Sequence, residues 1–477
     1  MVFTLSDVPG IMQCSEDSGK GYILVYIVIA LAMFLDGLDG TIVNVALPSI
    51  AGSFGIGTSA SSWVSTVYFL VMAGLILIFG KVCDKGAVRK VMVVGLLLFS
   101  ASSLACGLSG SLSELIVFRA VQGIGASMIA SSCMLATVSF LPPRKITFGL
   151  SVSLLGWSLG AAAGPALGGI LTETLSWHWI FFINVPIGIV AAVICMRAFP
   201  KDRGFDRSGF DIRGSALLFV CIVTGLYALE TIPSHGLSTV NGVALVVCLL
   251  FLVLFTRHSL RSDSPVLDLR LFRVGSLVCV VVALLLVNVC YMGAQYLFPF
   301  FLTVEMGYSA VESSMHMLIP AVAILALCLI TGRMAETRGN RVFCIAGGIV
   351  LTMFSLISCF IGSDTPLLVI LALALLGLTW GICGGPIGSR VIDYVPDGKQ
   401  GEGSSLMTFV IYLGSAMGTA MFSGLFSIGS GSAGTSISDL EPSTFMDGFL
   451  FSMVSCVIMC IIITFMSWHV RENRGDA

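Results

Sequence analysis

The chain has 477 residues, of which 57% are hydrophobic and only 10% charged, with a formal net charge of −2. So few charged groups cannot clothe a soluble protein of this length, which excludes a water-soluble fold and leaves an all-α polytopic membrane protein. The apolar runs are continuous over about twenty residues, which excludes a barrel of alternating ten-residue strands.

The first twenty residues, "MVFTLSDVPGIMQCSEDSGK", are polar and carry no cleavable signal peptide, so the first span is expected to act as the insertion signal. Fourteen candidate spans follow, at about 22–47, 61–80, 90–108, 113–140, 148–171, 179–199, 213–231, 239–257, 275–301, 312–332, 342–362, 366–388, 403–428 and 447–468. The positive-inside rule tests them. Every second connection carries Lys or Arg: Lys81, Lys85, Arg89 and Lys90; Arg144 and Lys145; Lys201, Arg203 and Arg207; Arg257, Arg261, Arg270 and Arg273; Arg333, Arg338 and Arg341; Arg390 and Lys399; Arg471 and Arg474. The alternate connections, such as "PSIAGSFGIGTSASS" and "SIGSGSAGTSISDLEPS", carry none. Both termini are therefore expected in the cytoplasm.

The expected organisation is a cytoplasmic segment (1–21), a six-helix bundle (22–199), a linker with two extra helices (200–274), a second six-helix bundle (275–468) and a cytoplasmic tail (469–477). A weak internal repeat supports two similar halves. "GKVCDKGAVRK" (Gly80–Lys90) follows the second span and "GRMAETRGNR" (Gly332–Arg341) follows the tenth.

Along the chain, polar residues inside spans are the candidates for function, because each acid at a helix centre costs roughly 2.5–3.5 kcal/mol to insert. Asp36 and Asp39 lie in "FLDGLDGTIVNVALP", separated by about 60° around the helix. They are expected to face one aqueous cavity, where like charge and partial desolvation favour holding a proton. Asn44, in the same stretch, is expected to hydrogen-bond helix to helix. Arg119 is the one Lys or Arg of the first half that reads as lying inside a span, and it needs a carboxylate, carbonyls or water; Glu114 is a nearby partner. Gly156, Gly160, Gly164 and Gly168 repeat every four residues, with Gly169 beside them, giving a smooth helix face for close packing. Pro165 is expected to bend that helix.

Other polar groups leave alternatives open. Glu230 is expected to reach solvent near the end of an extra helix. Glu312 and His316, spaced i, i+4, share a face and form either a proton-sensitive pair or separate packing residues. Tyr291, Gln295, Tyr296 and Phe298 line a substrate path or pack the ninth span. The fifteen cysteines read as small apolar packing residues, without CxxC or Cys/His metal spacing. No phosphate-cradling loop, HExxH or G-x-S-x-G is present, so neither ATP-driven transport nor an enzyme is expected, and no cofactor, catalytic residue or metal ligand is assigned.

Five motifs in order carry a resemblance that spans essentially the whole chain. "LDGTIVNVALP" (Leu38–Pro48), "GKVCDKGAVRK", "RAVQGIGAS" (Arg119–Ser127), "GWSLGAAAGPALGG" (Gly156–Gly169) and "WHWIFFINVPIG" (Trp177–Gly188) together resemble the major facilitator superfamily in its fourteen-helix drug:proton antiporter branch. The resemblance implies two six-helix bundles with two central extra helices, working by alternating access. It further implies proton-coupled export of small lipophilic compounds, cationic ones included, from a multi-pass protein of the cytoplasmic membrane. Its partners would be substrate, protons and lipid, without nucleic acid, and it would act as a monomer. A carrier dedicated to one metabolite is the alternative, and a non-transporting sensor on the same fold a remote one. By resemblance, Asp39, with Asp36, Arg119, Gln122, Gly123 and Gly125, serves proton coupling, and the helix 5 glycines seal against the other half. Gly80, Asp84 and Arg89 form a cytoplasmic latch, in which the sequence departs from the family pattern at Ala87 and Val88. His178 stands where that branch has an arginine. Asn44, Gln122, Gln295, Tyr296, Glu312 and His316 are the candidates for a substrate cavity.

Overall fold

The computed structural model describes residues 19–202, 211–236, 238–262, 264–395, 400–431 and 441–469. The predicted terminal segments and parts of the linker lie wholly or partly outside these residues. So do Arg203, Arg207, Lys399, Arg471 and Arg474.

The described residues form long helices joined by short turns: α1 (Gly19–Phe54), α2 (Thr58–Val82), α3 (Val88–Gly107), α4 (Leu112–Phe140), α5 (Pro143–Thr174), α6 (Asn184–Ala198), α7 (Ile212–His235), α8 (Thr239–Arg261), α9 (Gly275–Val304), α10 (Ala310–Arg338), α11 (Asn340–Ser358), α12 (Pro366–Asp393), α13 (Gln400–Ser430) and α14 (Pro442–His469). Thirteen apolar helical stretches are long enough to cross a bilayer, and the longest, Thr58–Gly107, has 50 residues. At about 1.5 Å per residue that stretch is far too long for one crossing, so it holds two of the predicted spans, α2 and α3. A widened helical turn at Cys83–Ala87 joins them, reversing at Gly86, whose φ is +92°. The left-handed position therefore falls on Gly86 and not on Ala87, which keeps an ordinary negative φ of −102°. The substitution at Ala87 costs the turn nothing. Gly339, between α10 and α11, likewise takes a positive φ of +84°, so the two repeated turns share a device.

Helix pairing repeats along the chain. In the first set α1 packs on α5, α2 and α3 on α4, and α6 on α1 and α3; in the second set the same pairs recur eight places later. Thus α9 packs on α13, α10 and α11 on α12, and α14 on α9 and α11. The two main seams between the sets are α2 with α13 and α5 with α10. The extra pair packs α7 on α8, with α7 also against α2 and α13. α8 turns a row of exposed apolar residues outward, including Val243, Val246, Leu249 and Val253. With little burial and no polar stripe there, that row suits hydrocarbon.

The α1–α5 seam explains the glycine motif. A Cβ on Gly156 would lie 2.5 Å from the Ala30 carbonyl oxygen, on Gly160 2.1 Å from that of Phe34, and on Gly164 2.0 Å from Thr41 Oγ1. Gly168 faces Ile42 at 3.1 Å. The expectation that this face seals against the other half needs correcting. Four glycines seat α1 of the same set, and only Gly169 meets α10, 2.1 Å from Ser314 Oγ. The equivalent seam in the second set uses Gly414 and Gly418 of α13, the latter 2.5 Å from the Val289 carbonyl oxygen. Gly123 and Gly125, grouped with proton coupling by resemblance, also mark close approaches, of α4 to Tyr68 on α2 and to Phe99 on α3.

Candidate functional site

Inside the first set, α1, α4 and α6 converge on a fully buried ion pair. Arg119 Nη1 donates to Asp39 Oδ2 at 2.6 Å, with the two side chains 1% and 0% exposed. The guanidinium also donates through Nε to the Val64 carbonyl oxygen at 3.0 Å and through Nη1 to Gln122 Oε1 at 2.8 Å. It lies 4.1 Å over the Tyr68 ring, a cation–π contact that suits a desolvated arginine. Asp39 Oδ1 accepts from the Gln122 amide at 3.0 Å and from the Asn184 amide at 3.1 Å. Ser103 Oγ accepts from both amides and donates to the Phe181 carbonyl oxygen. Each charge is thus balanced by the other and by neutral donors, the condition under which a buried pair is tolerated. Glu114, the nearby candidate partner, instead accepts from the backbone N–H of Gly110 at the start of α4.

Asp36 faces elsewhere. It is 5% exposed, and its Oδ2 accepts from the Tyr412 hydroxyl of α13 at 2.8 Å, a bond that crosses from one set to the other. The Trp157 side chain of α5 lies beside the same carboxylate. The two aspartates therefore do not face a common cavity. Asp39 is enclosed within the first set, and Asp36 bridges to the second.

Trp157 also lines the narrow cavity between the sets, with Thr41, Pro165, Tyr291, Gln295 and Met317 among its walls. About 20 Å³ remains there for solvent, room for a single water and not for a substrate. Gln295 Nε2 donates to Tyr291 Oη at 2.9 Å, and Tyr291 stacks on Trp380 at 5.7 Å. Tyr296 is not on this wall; its hydroxyl donates to the Thr58 carbonyl oxygen across the sets. Phe298 is fully buried among Phe301, Phe354 and Phe449. Asn44 accepts from Ser65 Oγ at 2.9 Å, tying α1 to α2 as expected and placing it away from the cavity walls.

Several sequence candidates resolve into scaffold roles. Glu312 closes a capping box with Ser309 at the start of α10, and its Oε2 accepts from the Ser309 N–H at 2.9 Å. His316 Nδ1 instead meets the Glu312 carbonyl oxygen at 2.8 Å and its ring stacks on Tyr308, so the two side chains do not pair. At the α2–α3 turn no ion pair joins Asp84 to Arg89 among the described residues. Asp202, unremarked in the sequence, accepts from the backbone N–H groups of Arg89 and Lys90, each at 3.0 Å, and so satisfies the start of α3. The Arg89 guanidinium donates to the Met196 carbonyl oxygen at the end of α6. Gly80 faces α13, the nearest atom to an added Cβ being Ser405 Oγ at 4.0 Å. Glu230, expected to reach solvent, is 1% exposed. Cys290 of α9 and Cys456 and Cys460, one turn apart on α14, bring three buried thiols within 4.8 Å of one another.

A family model described as the Major Facilitator Superfamily matches residues 29–419. The chain belongs to the major facilitator superfamily. Among curated relatives, a riboflavin transporter, RibZ, of Clostridioides difficile (strain 630) is 30% identical over 410 residues, covering 84% of this chain and 88% of that protein. A putative multidrug resistance protein, MdtD, of Escherichia coli (strain SE11) is 28% identical over 458 residues, covering 94% of each. Among solved structures, a bacterial homolog of the human lysosomal transporter Spinster, inward-facing and unoccupied, superposes with a TM-score of 0.67 at 15% identity, covering 95% of this chain and 97% of that one. A D-xylose–proton symporter superposes with 0.65 at 14% identity, covering 96% and 99%. These two show the fold; the family match and the curated relatives place this facilitator among multi-pass membrane transporters of small molecules. The residues that sequence reasoning missed are Tyr412, Trp157, Asn184 and Ser103. Asn184 carried a faint signal, as an amide inside the apolar run "FFINVPIG".

Proposed function

We propose that this facilitator exports small lipophilic compounds, cationic ones included, in exchange for protons, with Asp36 holding the exchangeable proton and the Asp39–Arg119 pair keeping the first bundle rigid around it. The observation that carries this reading is the hydrogen bond from Tyr412 to Asp36, a carboxylate contact between the two bundles beside the central cavity. A charged acceptor makes a bond roughly twice as strong as a neutral one. Ionised Asp36 holds α1 to α13; a proton on it weakens that link and frees the bundles to rock. The relative named as a multidrug resistance protein supports a broad substrate range.

A second reading, a carrier dedicated to one planar metabolite, draws support from the relative named as a riboflavin transporter and from the stacked Tyr291 and Trp380 near the cavity. In both readings the termini are cytoplasmic, the protein sits in the cytoplasmic membrane and one chain suffices. Proteoliposomes with an imposed pH gradient separate the two. Transport of a fluorescent lipophilic cation such as ethidium, abolished in Asp36→Asn, supports export of many compounds; transport of riboflavin alone supports the dedicated carrier. Gradient-driven transport that survives Asp36→Asn unchanged overturns the role given to that residue.

A further inference from the structure

Glu230 is a carboxyl group in a membrane helix outside the two bundles, and the mechanism above leaves it unused. It sits on α7 where that helix meets α2 and α13. The Ser62 hydroxyl of α2 donates to Glu230 Oε1. Its other oxygen, Oε2, is fully buried and has no hydrogen-bond partner. Beside the same carboxyl lie the hydroxyls of Thr66 on α2 and Ser423 on α13, and both of those oxygens are also buried and unpartnered. From α9, Tyr296 faces the group, its own hydroxyl donating to the Thr58 carbonyl oxygen.

Among the described residues no cation pairs with this carboxyl. The two ion pairs among the described residues are Asp39 with Arg119 and Asp211 with His258. On the elements packed against α7, the basic groups stand far off. Lys81 lies at the opposite end of α2, and His258 lies at the end of α8, bound to Asp211. On α13 the nearest titratable group is Tyr412, three turns away and bonded to Asp36; on α7 itself Tyr227 lies one turn earlier, against Trp63. A buried carboxylate ringed only by hydroxyls carries an uncompensated charge. One hydrogen on Oε2 removes that charge and, donated to Thr66 or Ser423, satisfies two of the three orphaned oxygens at once.

We propose that Glu230, with Ser62, Thr66 and Ser423, forms a second proton-binding site, which clasps the extra helix pair onto the α2–α13 seam when the proton is bound. The site is separate from Asp36 and does not depend on Asp36 carrying the transported proton. With the proton gone, the anion draws in water and loosens α7 from the seam.

The test is pH-difference infrared spectroscopy of the full-length protein in proteoliposomes, in choline chloride, for wild type, Glu230→Gln and Asp36→Asn. The expected result is a protonated-carboxyl band that appears as pH falls, is lost in Glu230→Gln and persists in Asp36→Asn. A spectrum unchanged by Glu230→Gln overturns the proposal while leaving the role of Asp36 standing. A band that collapses when sodium chloride replaces choline chloride at constant pH also overturns it, because the hydroxyl ring then holds sodium. If Glu230→Gln does not fold, Thr66→Val combined with Ser423→Ala removes the two acceptors. The band must then shift in frequency and its midpoint must move, and an unmoved band refutes the site.

Discussion

Replacing Gly160 by alanine adds one methyl group at the tightest approach to backbone in the α1–α5 seam. That Cβ would stand 2.1 Å from the Phe34 carbonyl oxygen, 2.8 Å from the Leu38 nitrogen and 3.0 Å from the Phe34 carbonyl carbon. All three are backbone atoms, so no side chain can swing aside, and the helices must part by roughly 1 Å. Overpacking of this kind costs about 1–3 kcal/mol. The intrinsic gain of alanine over glycine in a helix, up to about 1 kcal/mol, offsets only part of it. The same substitution at Gly52, where an added Cβ meets nothing within 4 Å, keeps the gain without the cost. Gly160→Ala should therefore lower the melting temperature measured by fluorescence-detected size exclusion in detergent, and Gly52→Ala should leave it unchanged or raise it. Because Phe34 and Leu38 flank Asp36, Gly160→Ala should also reduce pH-driven transport. Equal melting temperatures for the two variants would refute the steric account of the motif.

Arg119→Met should give little monodisperse protein. Removing one partner of a buried pair leaves an uncompensated charge at about 3–5 kcal/mol, and adding Asp39→Asn should recover part of the yield, read by size exclusion. Tyr412→Phe deletes the hydroxyl that bridges the bundles while keeping the ring. It should cost about 1 kcal/mol or somewhat more, since the acceptor is charged, and shift the pH dependence of transport without abolishing folding. Glu312→Ala breaks the capping box at the start of α10 and should cost about 1 kcal/mol in thermal stability while leaving transport rates intact; a selective loss of transport would return Glu312 to the list of substrate contacts. Asp202→Ala should destabilise the α2–α3 turn by about 1 kcal/mol, visible as faster hydrogen exchange at Arg89 and Lys90 than at residues further along α3.

The membrane class, the helix spans and the five motifs could be read from the chain because each is local. An apolar run, a glycine every fourth residue or an arginine inside a span needs no partner to be noticed. Partners were what the sequence concealed. Glu114 is the acid nearest Arg119 in the chain, but the pairing runs to Asp39, 80 residues away, because α1 and α4 cross inside the bundle. Tyr412 bonds Asp36 from 376 residues away and carries no local mark of it. The i, i+4 spacing of Glu312 and His316 suggested a pair, but Glu312 is the third residue of its helix, where a carboxylate folds back onto the backbone. Gly414 and Gly418 repeat the logic of α5 in the second bundle, and two glycines were too few to stand out as a pattern. Glu230 was placed in solvent because it lies near a helix end, and only the packing of α7 against two other helices encloses it.

The eight-place recurrence of helix pairs has a consequence for how such a chain can grow. Six helices bring the chain back to the face it left, so the second bundle begins from the same side as the first and its helices run in the same directions. An insertion between the bundles preserves this only when it crosses an even number of times. A single added helix would turn the second bundle upside down and set every seam against its mirror sense. The α7–α8 hairpin is the smallest insertion that parity allows. Of its two helices, α7 makes the contacts with both bundles, and α8 makes the return journey through lipid.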